Sequence, residues 1–194
     1  MRTQNGIPLN YIGIRHGNAS PAIDGDDQSR SLSEKGIAQV NSRVSSFRGM
    51  SVALGLSSIA RRASETGAIV FGTQMVELPE LYLPLDPTDC VAGDKAFEEL
   101  GYSSLRTYIA KDTTGWLFRY GMAAVKVVRE TVSIKLPPGA YRGEHFVVVA
   151  GHAVFTNLVA MLMFPEHAEN LQDICLGEAE AFVIGPAGLK HIKG

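Results

Sequence analysis

The sequence predicts an α/β fold in which helices cover both faces of a mainly parallel sheet, a three-layer α/β/α arrangement. Three observations lead there. Short apolar runs at 11–14, 52–56, 75–78, 146–150 and 181–184 alternate with segments of helical periodicity. The runs are continuous, as in strands that are buried on both sides. The chain has 194 residues, 45% hydrophobic and 20% charged, which is enough to bury one sizeable core. No Pro/Gly/Ser-rich linker divides it, so residues 1–194 are expected to form a single domain.

The first expected strand, 11–14, ends abruptly in Arg15-His16-Gly17. Residues 18–30 are rich in Asp, Gly, Ser and Asn and read as a loop. Ser33 is a candidate N-cap. Ile37, Val40, Val44 and Phe47 then recur at helical spacing, and Gly49 ends that helix. The second strand, 52–56, breaks at Ser57-Ser58. Ser58 is expected to cap a helix in which Ala63, Gly67 and Val70 share a face. A third strand covers 75–78. Prolines and acids across 79–93 predict an irregular excursion, followed by partial helix over 97–111. Leu117, Tyr120, Ala124, Val125, Val128 and Val132 fit one face of a longer helix, a core face rather than a partner surface, stopped by Pro137-Pro138-Gly139. The strand 146–150 runs into a helix over 154–163, ended by Pro165. A last strand, 181–184, is followed by the turn Gly185-Pro186-Ala187-Gly188. The stretch from the third strand to Phe146 is too long for a simple crossover. Residues 86–144 are therefore expected to form a helical insertion over one edge of the sheet, near the site.

Composition narrows the function. A formal net charge of -2 gives no general attraction to nucleic acid or to an anionic membrane. An anion site must then be a local cluster of Arg and His. The two cysteines, Cys90 and Cys175, make neither a disulfide framework nor a metal-ligand spacing, so a reducing, cytoplasmic location is expected. The segment Met1-Arg2-Thr3-Gln4-Asn5-Gly6 lacks the apolar core of a signal peptide. Residues 146–164 are almost continuously apolar and approach the roughly 20 residues of a membrane span. Gly151, His152, Thr156 and Asn157 interrupt them, and a buried strand running into a buried helix explains the run better.

Cationic and titratable groups fall at equivalent places. Arg15 and His16 follow the first strand, Arg61 and Arg62 open the helix after the second, and His152 follows the strand 146–150. In a parallel sheet these ends point the same way, towards the crevice where ligands bind. Arginine at a helix N-terminus is electrostatically costly unless an anion sits nearby, and a phosphate suits both. A lone histidine at a strand end is more often structural than catalytic. Arg15 beside His16, with Arg61 and Arg62 at the next helix start, favours a nucleophilic histidine in a phosphate pocket. Arg61 and Arg30 read as exposed, and His145, His167 and His191 as surface or loop residues.

These residues resemble the histidine phosphatase superfamily, the phosphoglycerate-mutase-like family. The resemblance rests on Arg15-His16-Gly17, on Leu32-Ser33-Glu34-Lys35-Gly36, and on Ser58-Ile59-Ala60-Arg61-Arg62-Ala63-Ser64-Glu65-Thr66. It continues through Leu78-Pro79-Glu80-Leu81 and Val147-Val148-Val149-Ala150-Gly151-His152-Ala153. Each motif alone is weak, whereas their order along the chain is specific. The sequence departs from the family at Asn18, where an acid or Gln is more usual, at Ile59 for a frequent proline, and at Ala150 for a hydroxyl residue.

The resemblance implies a histidine-phosphatase fold and phosphoryl transfer without metal or cofactor. His16 would attack phosphorus and carry a transient phosphoryl group. Arg15, Arg62 and His152 would bind the phosphoryl oxygens, with Asn18 counted among the phosphate ligands. Glu80 would be the general acid and base, with Asp86, Asp89 and Asp94 in the same excursion as alternatives. The short, aromatic-free loop 18–30 argues for a phosphatase over a mutase. The opening motif, the segment Arg30-Ser31-Leu32-Ser33 and the Leu78–Leu81 motif look most like the small phosphohistidine-phosphatase branch. The expected substrate is a phosphorylated small molecule or a phosphohistidine protein. Mutase-type transfer and a non-catalytic phosphate-binding scaffold are the competing readings.

Overall fold

The computed structural model describes residues 10–136 and 145–194. The expected helix stop at Pro137-Pro138-Gly139 and the segment Met1–Gly6 lie outside the described residues. The sheet has six strands: β1 (Asn10–Arg15), β2 (Ser51–Ser58), β3 (Met75–Leu78), β4 (His145–Gly151), β5 (Ala181–Gly185) and β6 (Gly188–Ile192). Their order is β3-β2-β4-β1-β5-β6. The first four are parallel to one another, β5 runs antiparallel to β1, and β6 antiparallel to β5. The expected mainly parallel sheet is present.

Side chains alternate along the central strands and divide the core in two. Ile12, Ile14, Val148 and Ala150 face Val40, Phe47 and Val70. Those residues come from α1 (Glu34–Arg43), the 3-10 turn after it, and α2 (Arg61–Phe71). Tyr11, Val147 and Val149 face α5 (Trp116–Lys135) and α6 (Ala153–Met163). All six residues expected on the core face of α5 are buried. The smaller helices α3 (Pro87–Leu100), α4 (Leu105–Lys111) and α7 (Ala168–Asp173) complete that side, with α3 against α5 and α4 against α6 and α7. The apolar run 146–164 resolves into β4 and α6, and among the described residues no helix is long and apolar enough to cross a membrane.

Several details differ from expectation. Ile37 and Val44 are exposed: the buried side of α1 runs through Gly36 and Val40, and the 3-10 turn at Val44–Phe47 then turns Phe47 into the core. Ser58 does not cap α2. The N-cap position is Ala60, which makes no side-chain cap, and the Ser58 hydroxyl faces His152 instead. The excursion at 79–93 is only half irregular: Asp86 caps α3 by accepting from the Thr88 and Asp89 amides, and Pro87 fills the first helical position. The turn at Gly185–Gly188 leads into β6, an edge strand whose polar residues Lys190 and His191 mask its periodicity. His145 and His191 therefore lie on strands.

Two close approaches explain glycines in the opening motifs. A Cβ on Gly13 would lie 2.3 Å from the Phe182 ring on β5. One on Gly36 would lie 2.0 Å from the Asn18 carbonyl oxygen, so only glycine lets the loop after His16 rest on the start of α1.

Candidate active site

β4 lies between β1 and β2, with Arg15 opposite Gly151 and Ser57 opposite Ala150. The carboxyl ends of the three strands are thus adjacent, and Arg15, His16, Arg62 and His152 line one cavity of about 720 Å³. His16 is pinned by its backbone on both sides: its amide donates to the Gly151 carbonyl at 3.0 Å, and its carbonyl accepts from Ala179 at 3.2 Å. The amide of Gly17 donates to Thr66 Oγ1 at 3.1 Å, and Thr66 Oγ1 donates to the Arg62 carbonyl at 2.7 Å. Thr66 therefore ties the Arg-His-Gly turn to the first turns of α2. That gives the spacing from Arg62 to Thr66 a mechanical reason.

His16 Nδ1 lies 2.7 Å from the Gly17 carbonyl oxygen. A carbonyl only accepts, so Nδ1 carries the hydrogen and Nε2 presents its lone pair. Arg62 Nε donates to that Nε2 at 3.3 Å. Burial pushes the His16 pKa down to about 4; the Gly17 bond opposes this, and the charges of Arg62 and Arg15 add to it. The imidazole is neutral at pH 7, as a nucleophile requires.

Arg62 and Arg15 are each 5% exposed. Arg62 Nη1 donates to the Asp27 carbonyl at 2.5 Å, and Nη2 to Asp27 Oδ2 at 2.7 Å. Tyr82 donates its hydroxyl to the same Oδ2 at 2.6 Å, and Arg30 Nη1 donates to Oδ1 at 2.8 Å. Burial alone would raise the Asp27 pKa, yet bonds from Tyr82, Arg30 and Arg62 hold it below the usual carboxylate range. Burial and the Asp27 carboxylate push the Tyr82 hydroxyl up to about 12. Asp27 thus grips the far edge of the Arg62 guanidinium and leaves Nε directed at His16. Arg30 is not simply exposed: it also donates to the Ser20 carbonyl at 2.7 Å and closes the loop. Arg15 donates to the Leu176 carbonyl at 2.7 Å and stacks over Tyr102, 4.2 Å from the ring centroid.

The ring of His152 meets that of His16 edge-on, with centroids 5.1 Å apart, and Tyr82 flanks it at 5.3 Å. Its Nε2 is 3.0 Å from Ser58 Oγ. Burial, then the charges of His16 and Arg62, hold its pKa well below the ordinary value, so the resting ring is neutral. Asn18 lines the cavity, but its side chain is engaged at both ends. Nδ2 donates to Glu178 at 2.8 Å, and Oδ1 accepts from Ser33 at 2.7 Å. Its evident work is to hold the loop.

Glu80 is not among the residues that line the His16 cavity. Glu80 sits in the 3-10 turn Pro79–Leu81 and lines a neighbouring cavity of about 400 Å³ with Asp86, Asp89 and Arg119. With three residues per turn, Glu80 and Tyr82 leave that turn about 120° apart, and it is Tyr82 that faces His152. Asp89 is buried and held by Arg119 at 2.6 Å. Of the expected carboxyl groups only Asp94, on α3, lines the His16 cavity, together with Glu98. Sequence reasoning missed Asp27, Tyr82 and Glu98. Asp27 carried one signal, an acid three residues before Arg30 in a loop that must pass the phosphate ligands.

No family model and no curated protein matches this chain. Solved structures do. The native mycobacterial glucosyl-3-phosphoglycerate phosphatase Rv2419c superposes with a TM-score of 0.63 at 15% identity, over 96% of this chain and 99% of that one. The chain has the histidine-phosphatase fold. The same fold relates it to the protein histidine phosphatase SixA, solved with tungstate, with a TM-score of 0.55 at 13% identity over 94% of each chain. A phosphoserine phosphatase from Entamoeba histolytica, in complex with 3-phosphoglyceric acid, gives 0.55 at 15% identity over 95% of each chain. In this chain the histidine-phosphatase fold places Arg15, His16, Arg62 and His152 around one cavity.

Proposed function

We propose that the protein is a metal-independent phosphatase that hydrolyses a phosphomonoester or a protein phosphohistidine through a phosphohistidine on His16, with residues 1–194 acting as one catalytic domain. The observation that carries this reading is the His16 geometry: Nδ1 donates to the Gly17 carbonyl, and Nε2 faces the Arg62 guanidinium. The phosphatases that share the fold support it.

A phosphoryl oxygen arriving at Arg62 takes the Nε hydrogen bond and releases the Nε2 lone pair. His16 Nε2 then bonds to phosphorus in line as the P–O bond to the leaving group breaks. Arg15 and Arg62 carry the positive charge that stabilises the transferring group, and His152 donates a hydrogen bond to it. Asp27 and Glu178 are both held below the ordinary carboxylate range and stay ionised. The leaving oxygen takes its proton from water in the cavity, and the attacking water returns a proton to solvent. Water attack breaks the P–N bond and returns Nε2 to its resting state.

A screen of small phosphomonoesters and phosphohistidine proteins tests the reading. Release of phosphate that disappears in His16→Ala is the expected result. Absence of turnover on every substrate class would leave the phosphate-binding scaffold as the better description.

A further inference from the structure

We propose that the site selects monophosphates whose leaving group is flat and positively charged, and discriminates against substrates carrying a second anion. This deepens the phosphatase reading and rests on it. The cavity is divided by charge. Its inner end holds Arg15, Arg62, His16 and His152, while its outer wall is a face of α3. Asp94, Phe97 and Glu98 stand at i, i+3 and i+4 there, so they share one side of the helix. Neither acid has an ion pair among the described residues, whose bridges involve other carboxylates.

Among the described residues nothing in this wall suits a second anion. No described lysine lines the cavity, and of its three described arginines Arg15 and Arg62 serve the transferring phosphoryl group. Arg30 spends Nε on the Ser20 carbonyl and Nη1 on Asp27. A second carboxylate or phosphate of a substrate would lose water and meet Asp94 and Glu98 instead of a cation.

The wall does suit a flat cation. Phe97 is 47% and Tyr102 64% exposed, although both are large aromatic residues lining the cavity. They meet edge-to-face with centroids 5.4 Å apart. Arg15 covers one part of Tyr102, so the aromatic surface begins where the phosphate end stops. A leaving group that extends outward from phosphorus lies against these rings, with its charge near the carboxylates. The wall is seated firmly: a Cβ on Gly93 would lie 3.2 Å from the Trp116 ring, so α3 packs closely on α5.

The test compares 4-(aminomethyl)phenyl phosphate with 4-carboxyphenyl phosphate, which share one ring, with phenyl phosphate as the neutral reference. At low salt kcat/KM favours the amine by about tenfold, and salt compresses the ratio. Glu98→Lys brings the two together or reverses them. Calorimetric binding of the same pair to His16→Ala gives the same order without turnover. Equal rates and affinities, preference for the carboxylate, or a preference unmoved in a folded Glu98→Lys variant overturn the proposal. Phenyl phosphate turnover without discrimination overturns it alone and leaves the phosphatase reading standing. If none of the three esters is bound or hydrolysed, both fail together.

Discussion

The inner end of the cavity and its outer wall are built in opposite ways. Inner residues are locked by several bonds each: His16 by Gly151, Ala179 and Gly17, and Arg62 by Asp27. The outer wall offers Phe97, Tyr102, Asp94 and Glu98 from a helix and the turn after it, outside the sheet. Chemistry that needs fixed charge sits on strand ends, whereas contacts that choose a leaving group sit on a separable element. Inner substitutions should therefore lower turnover of every substrate alike, and outer ones should change which substrate is preferred.

The largest expected effect is that of His16→Ala, which should lower kcat by about 10⁴-fold or more on all substrates, measured by phosphate release with folding checked by circular dichroism. Arg62→Ala should cost about 10² to 10³-fold across substrates, since it removes a preorganised donor. Gly36→Ala pushes a Cβ into the Asn18 carbonyl and should destabilise the fold by about 3 kcal/mol, read from urea denaturation. Asp27→Asn loosens Arg62 and should lower kcat by about tenfold with a smaller change in KM, and Asp27→Glu should recover part of it. Phe97→Ala should change kcat/KM by only about threefold, and only for aryl substrates. A uniform loss from Phe97→Ala, or a substrate-selective loss from Arg62→Ala, breaks the contrast between the two regions.

The pH dependence sharpens it further. His16 should remain neutral until about pH 4, with its imidazole resonances followed by NMR as the readout. Its folded pKa lies below the unfolded value of about 6.5. The stability tied to the neutral ring is thus complete above the unfolded value and is lost as pH falls towards 4. Phosphate bound at Arg15 and Arg62 should raise this pKa, because the dianion favours a charged ring.

The same contrast explains what the sequence revealed. Arg15, His16, Arg62 and His152 were legible because each sits within a residue or two of a strand end or at a helix start. Parallel-sheet geometry then brings those positions together. Ser33 and the α5 face were legible from local rules of capping and periodicity. Glu80 lines the cavity next to that of His16, and the direction of one residue in a 3-10 turn is not set by its neighbours in sequence. Asp27 and Tyr82 meet across 55 positions, and nothing local marks that pairing. The α3 wall was unreadable for a related reason: Asp86 and Pro87 start a helix inside a segment whose prolines suggest a loop.

The central claim is a covalent phosphohistidine on His16, formed at Nε2. Turnover of ³²P-labelled phenyl phosphate, quenched within the first catalytic cycle and digested under alkaline conditions, tests it most directly. The account predicts an acid-labile, base-stable label on the peptide containing His16, with the phosphoryl group at Nε2 and no label in His16→Ala. Sustained hydrolysis with no labelled protein, or with the label on another residue, would contradict it.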